Sequence, residues 1–170
     1  LYTVNYPAPG SPTAAHEILE LLRNVDALPN DSWGIDHGTW TVLRRMYPDA
    51  QIPVIQLSID FTKAPQFHYE LGALLAPLRE RGVLIFGSGN IVHNLRDIDG
   101  RADAPIMDWA DHADRLITER ISAFDHVSLC AYHQLGAEVR HAIPTPDHFL
   151  PLLSLLGTTT KADEITDRKS

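Results

Sequence analysis

Apolar residues recur at helical spacing behind Ser11-Pro12, at Ala15, Ile18, Leu19, Leu22 and Val25. A Ser cap followed by Pro at the first helical position starts a helix, so the spacing predicts an amphipathic helix over 12–25. A shorter helix is predicted from Gly38 to Met46, with Val42, Leu43 and Met46 turned inward. Residues 52–59, IPVIQLSI, are rich in Ile and too short for a helix; they read as a buried strand with Pro53 confined to its start. Pro65 opens a long helix whose Phe67, Leu71, Leu74, Leu75 and Leu78 share one face, ended by Gly82. Val83-Leu84-Ile85-Phe86 follows as a second buried strand. A third clear stripe runs from Asp108 to Ile121 through Trp109, Leu116 and Ile117. Thr145-Pro146 starts a fourth helix closed by Gly157, and the polar tail from Thr158 is expected to fray.

Strand, helix and strand with continuous apolar runs form the βαβ signature of a sheet covered on both faces. The expected fold is therefore α/β: a single domain with a mostly parallel or mixed sheet flanked by helices. Segments 52–59 and 83–87 are expected as adjacent or near-adjacent parallel strands, with helix 65–81 crossing over between them. No repeat, low-complexity tract or linker divides the chain. The expected organisation is one domain over 1–157 and a polar tail over 158–170.

Composition narrows the function classes. A chain of 170 residues with 44% apolar content suits one core. The single Cys excludes a disulfide framework and a Cys-rich zinc finger within one chain. No apolar run approaches the roughly 18 residues of a membrane span. The start, LYTVNYPAPG, does not read as a signal peptide, so the expected setting is reducing and cytoplasmic. A net charge of −8 argues against nucleic acid or anionic lipid as partners. The nine His raise the weight of metal or acid–base chemistry.

Three segments stand out. Strand 83–86 runs into Gly87-Ser88-Gly89-Asn90 and then His93, at the sheet edge where α/β proteins bind ligands. The two glycines permit close backbone approach to a ligand. GSGN lacks the Lys-Ser/Thr of a P-loop and the third Gly of a dinucleotide fingerprint, which excludes both. A turn followed by a buried, satisfied His stays open as the alternative. In Gly34-Ile35-Asp36-His37-Gly38, Asp36 can cap the next helix and His37 then projects from a loop, where acid–base groups sit; an ordinary surface loop is the alternative. In Pro144-Thr145-Pro146-Asp147-His148, two prolines fix His148 in a first helical turn, with Asp147 or a carbonyl able to orient the ring toward a metal; a surface His is the alternative. His16, His68 and His112 read as solvated face residues. His133 or His141 can line a cleft, and Cys130 reads as core rather than nucleophile.

Taken together, YPAPGSP at 6–12, WGIDHGTWTVLRRMYPDA at 33–50, IPVIQLSID at 52–60, SGNIVHNLR at 88–96 and PTPDHFLPLL at 144–153 resemble one family. It is the class III (protocatechuate 4,5-type) extradiol ring-cleaving dioxygenases, in the DOPA 4,5-dioxygenase-like branch. The resemblance covers residues 1–157 and implies an α/β fold with one Fe(II) or Zn(II) per complete protein. By it, His148 matches a metal ligand, and His93 matches a histidine on the metal or beside it as the acid–base residue. His37 matches one that contacts substrate and oxygen and donates a proton. The implied partners are a catechol like DOPA or caffeate and O2. The family's His-Gly-Ser-Pro and Ser-Ala-His-Trp segments and its last strand have no match here, so the chain reads as the C-terminal two-thirds of a member. It is accordingly expected to bind metal weakly and to leave catechol rings closed unless His133 or Asp36 completes the site. Competing readings are a non-catalytic binding domain with a vestigial site and a zinc hydrolase. Convergence of His37, His93 and His148 in one cleft is the structural expectation.

Overall fold

The structure, a computed structural model, describes residues 5–101 and 103–167. They divide into two compact units, one through Ser58 and one from Ile59 onward. Among the described residues no helix is long and apolar enough to cross a membrane.

In the first unit, α1 spans Pro12–Leu21, with Pro12 in its first turn and the Ser11 hydroxyl accepting from the Ala14 amide at 3.3 Å. It stops short of the expected Val25 because the Val25 amide donates back to the Leu22 carbonyl at 2.7 Å, closing a turn. Leu22 is buried. α2 spans His37–Met46, capped by Asp36 and finished by Arg44 and Arg45, whose charge suits a helix C-terminus. Two bonds tie the ends of this unit together: Tyr6 Oη donates to the Tyr47 carbonyl at 2.9 Å, and the Val54 amide to Pro9 at 2.8 Å.

The second unit begins with α3, Pro65–Leu75. Pro77 has no N–H to donate back to Ala73, and the chain tightens into a 3-10 helix over Ala76–Arg81. Gly82 then ends it at φ +75°, a conformation that favours glycine. α4 is Asp108–Ser122, α5 His126–Cys130, α6 Ala137–Ala142 and α7 Leu150–Gly157. The core gathers Ile117 of α4, Leu129 of α5, Val139 of α6, and Phe149, Leu150 and Leu153 around α7, all without exposed surface. α7 starts at Leu150 rather than at Thr145-Pro146, so His148 lies in the turn that feeds the helix. α3 packs against α7 at very close range. A Cβ on Gly72 would lie 1.9 Å from the Ser154 carbonyl oxygen, and one on Gly157 2.0 Å from that of Tyr69.

The expected α/β sheet is overturned: among the described residues there is no strand, and the regular structure is helical. Segments 52–59 and 83–87 run without a ladder. The reason is physical. Ile and Val content reports fitness for a pleated, half-buried surface, whereas a strand exists only through a partner, which local sequence does not name. Both runs are also less buried than expected. Ile52, Ile55 and Leu57 are exposed by 50, 38 and 43%, and Leu84 and Phe86 by 64 and 41%. Val83 and Ile85, on the alternate positions, are half-buried. The backbone of 83–90 bonds to helix ends and turns instead, Val83 to Leu78 at 3.2 Å and Asn90 to His148 at 3.0 Å.

Two further expectations change. His68 is 1% exposed, not solvated, and its Nε2 lies 2.9 Å from the Asp60 carbonyl oxygen. Residues 158–163, expected to fray, are bonded to the helices: Thr158 is buried, Arg79 donates to its carbonyl at 2.8 Å, and Arg79 pairs with Asp163.

Candidate active site

The GSGN segment brings the 83–86 run onto the turn before α7. A Cβ on Gly89 would stand 2.2 Å from the His148 carbonyl oxygen, and one on Gly87 2.9 Å from that of Pro151. The glycines thus serve a close approach of backbone to backbone. The Asn90 amide donates to the His148 carbonyl at 3.0 Å, and the His93 amide to Ala142 at 3.0 Å. Two separate stretches, 87–93 and 142–151, are thereby pinned together.

Their histidines meet. The His93 and His148 rings are stacked, with centroids 5.0 Å apart and planes inclined by 27°. Nδ1 of His148 is 2.6 Å from Asp147 Oδ2. A hydrogen bond from the Thr145 side chain, then one from its own backbone amide and then the neighbouring His148 ring, hold the Asp147 carboxyl below its ordinary range against desolvation. Asp147 is therefore a carboxylate that accepts from Nδ1–H, which fixes the tautomer and makes Nε2 the basic nitrogen of His148. His93 has Nδ1 3.1 Å from the Asn90 carbonyl oxygen and Nε2 2.9 Å from that of Thr145. A neutral imidazole donates only once, so one of these two contacts is a hydrogen bond at a time. A cavity of about 130 Å³ opens beside His148, lined by Gly87, Gly89, Asn90 and Phe149.

His37 belongs to the first unit. It is exposed at the first position of α2, and Asp36 Oδ1 accepts from the Thr39 amide at 2.9 Å. Gln56 braces this loop: its Oε1 accepts from the Asp36 amide at 2.8 Å and the Thr39 hydroxyl at 3.1 Å. Sequence reasoning passed over Gln56, although a lone amide within the apolar run IPVIQLSI was a signal. It also passed over Asp97, which contacts His141 at 2.5 Å.

Among the described residues, no group of three or more His, Cys, Asp or Glu is placed to hold a metal. His148 fits one ligand position, through Nε2. His93 fits a second only if its ring turns away from a carbonyl. The described residues therefore do not by themselves fit a centre needing three protein ligands. Cys130 is buried, and desolvation pushes its thiol up to about 11, so it is core and not a nucleophile.

The sequence profile described as the catalytic LigB subunit of aromatic ring-opening dioxygenase matches residues 1–169. The chain belongs to this family. Among its LigB-family relatives, a 4,5-DOPA dioxygenase extradiol of Escherichia coli (strain K12) is 41% identical over 98% of this chain and 62% of its own length. A protein of the same name from Beta vulgaris is 35% identical over 97% of this chain and 63% of its own. The crystal structure of an uncharacterised protein from Escherichia coli K12 superposes with a TM-score of 0.84 at 41% identity, covering 93% of this chain and 66% of that one. The chain thus spans less than two thirds of the length of these relatives. Dioxygenases of the LigB family depend on a metal.

Proposed function

We propose that this chain carries the histidine face of an extradiol dioxygenase that opens a catecholic ring, DOPA-like or caffeate-like, with both atoms of O2. The observation that carries the reading is the Asp147–His148 pair stacked on His93. A carboxylate that holds Nδ1 of an imidazole and leaves Nε2 as the basic nitrogen is the arrangement found behind metal-binding histidines. Fe(II) is the metal the chemistry favours, because it passes electrons to oxygen and zinc does not.

The residues of this chain then divide the remaining tasks. Asp147 orients the His148 ring and leaves its Nε2 free of the proton that Nδ1 donates. A catechol must shed its hydroxyl protons, and His93 receives one on a ring nitrogen that turns away from the Asn90 or Thr145 carbonyl to meet the substrate. Stacking on His148 limits how far the His93 ring can move. The opposite demand, a proton delivered as the O–O bond breaks, is assigned to His37, whose exposed ring starts α2 on the Asp36 cap. We also propose that the 170 residues alone bind metal weakly, since two imidazoles fall short of the three ligands a facial site needs.

The test is oxygen uptake by the full-length protein after anaerobic loading with Fe(II), with DOPA as substrate. Wild type should open one ring per O2 consumed. His148→Ala should lose both iron and turnover, whereas His37→Gln should keep iron and lose kcat. Full iron and turnover in His148→Ala would refute the reading.

A further inference from the structure

Resting on that reading, we infer that the His141 side chain is a positioning residue for His93, acting through Asp97. The segment leaving His93 forms no regular element beyond a 3-10 turn over Leu95–Asp97, so something outside it must hold the histidine in place. Three contacts converge on one residue of α6. Asn94 Nδ2 donates to the His141 carbonyl at 3.0 Å. Asp97 Oδ2 lies 2.5 Å from His141 Nε2. The Trp109 ring of α4 meets the His141 ring edge-on at 4.6 Å, with planes at 85°.

The roles of these groups follow from valence. At 2.5 Å from a carboxylate oxygen, His141 Nε2 carries the proton and donates. It therefore cannot accept from Asn94 Nδ2, 3.4 Å away, and the Asn94 amide is directed to the carbonyl. Asn94 Oδ1 in turn accepts from the Arg96 amide at 3.1 Å, which starts the turn that presents Asp97. One residue on, the Ala142 carbonyl receives the His93 amide at 3.0 Å. Thus the 93–97 segment is fastened to α6 at three successive points, and the His141 ring is the one that also reaches α4. This clamp touches neither ring nitrogen of His93; it sets where the His93 backbone stands, and hence how its ring lies on His148.

The experiment is amide hydrogen exchange and ¹⁵N imidazole NMR on the 170-residue chain, comparing wild type with His141→Ala, His141→Gln, Asp97→Ala and the double variant. His141→Ala and Asp97→Ala should each speed exchange of the His93 amide by about fivefold, the size a partly exposed charge-assisted bond supports. Both should broaden or shift the His93 ring signals. His141→Gln, which keeps an N–H donor for Asp97, should return exchange to within about twofold of wild type, and the double variant should be no worse than either alanine single. Unchanged His93 exchange in His141→Ala would overturn the assignment, as would a glutamine variant as fast as the alanine one. If the alanine chain does not fold, Asp97→Asn is read against His141→Gln on the same scale. These readouts need no turnover, so they stand apart from the loss of iron in His148→Ala that tests the ring-opening reading.

Discussion

Phe149 has no exposed surface and directly follows the His148 that the site uses. Its ring lies 4.9 Å from that of Tyr132, and its amide donates to the Pro146 carbonyl at 2.8 Å. Phe149→Ala should therefore lower unfolding free energy by about 3–5 kcal/mol, the range for emptying an aromatic core position, as read by urea denaturation. His126 gives a second prediction at this scale. It is buried, Nδ1 lies 3.1 Å from Tyr69 Oη, and Nε2 has no hydrogen-bond partner among the described residues. Burial pushes its pKa down, as it does for His68. The unfolded chain takes up these protons near about pH 6.5 and the folded chain only at lower pH, so the unfolded state binds more protons as pH falls. Stability should be full above that pH and decline as pH falls below it, through the lowered pKa of the folded chain. His126→Gln should make thermal unfolding less sensitive to pH over this interval; an unchanged slope would count against it. Residue-level chemistry was partly legible in sequence. The adjacency of Asp147 and His148 offered their pairing, with a backbone carbonyl as the alternative, whereas His93 meeting His148 and Asp97 meeting His141 depend on turns that bring distant segments together.

Helix starts were legible because capping is local chemistry: Ser11 with Pro12, Asp36 and Pro65 each mark an observed N-terminus. Helix ends were less so. The long helix expected over 65–81 divides near Pro77 and α1 stops at Leu21 short of Val25, and one start failed as well: the helix expected from Thr145 begins at Leu150. The two runs read as strands failed for a different reason, since no ladder partner can be read from Ile and Val alone. At this scale the α3–α7 contact makes a sharp prediction. Gly72→Ala would set a methyl against the Ser154 carbonyl oxygen, backbone that cannot swing aside. The helices must part, at a cost of about 1–3 kcal/mol in unfolding free energy. Gly82→Ala, where no atom lies within 4 Å of the new Cβ, pays only the strain of φ +75°. Gly89→Ala should instead show at the site: its methyl would push the His148 carbonyl away, and the ring signals of His93 and His148 should both shift.

Over the whole molecule, nine histidines and an acidic surface pointed to small-molecule metal or acid–base chemistry, and five ordered motifs to one family. Membership in that family is what the match over residues 1–169 shows. The structure adds the joining of two of the three expected site histidines, across 55 residues of sequence. On the proposed reading, His148, oriented by Asp147, offers Nε2 to a metal. Asp147→Asn should weaken metal binding about 10–100-fold while the fold is kept, as measured by competition with a chelating dye. The most direct measurement is a ¹⁵N histidine NMR titration of the chain with Zn(II), used as a diamagnetic probe. Nε2 of His148 should shift on metal addition while Nδ1 stays protonated against Asp147. Saturating Zn(II) that leaves the His148 ring unmoved, or that shifts Nδ1 instead, would contradict the proposed reading.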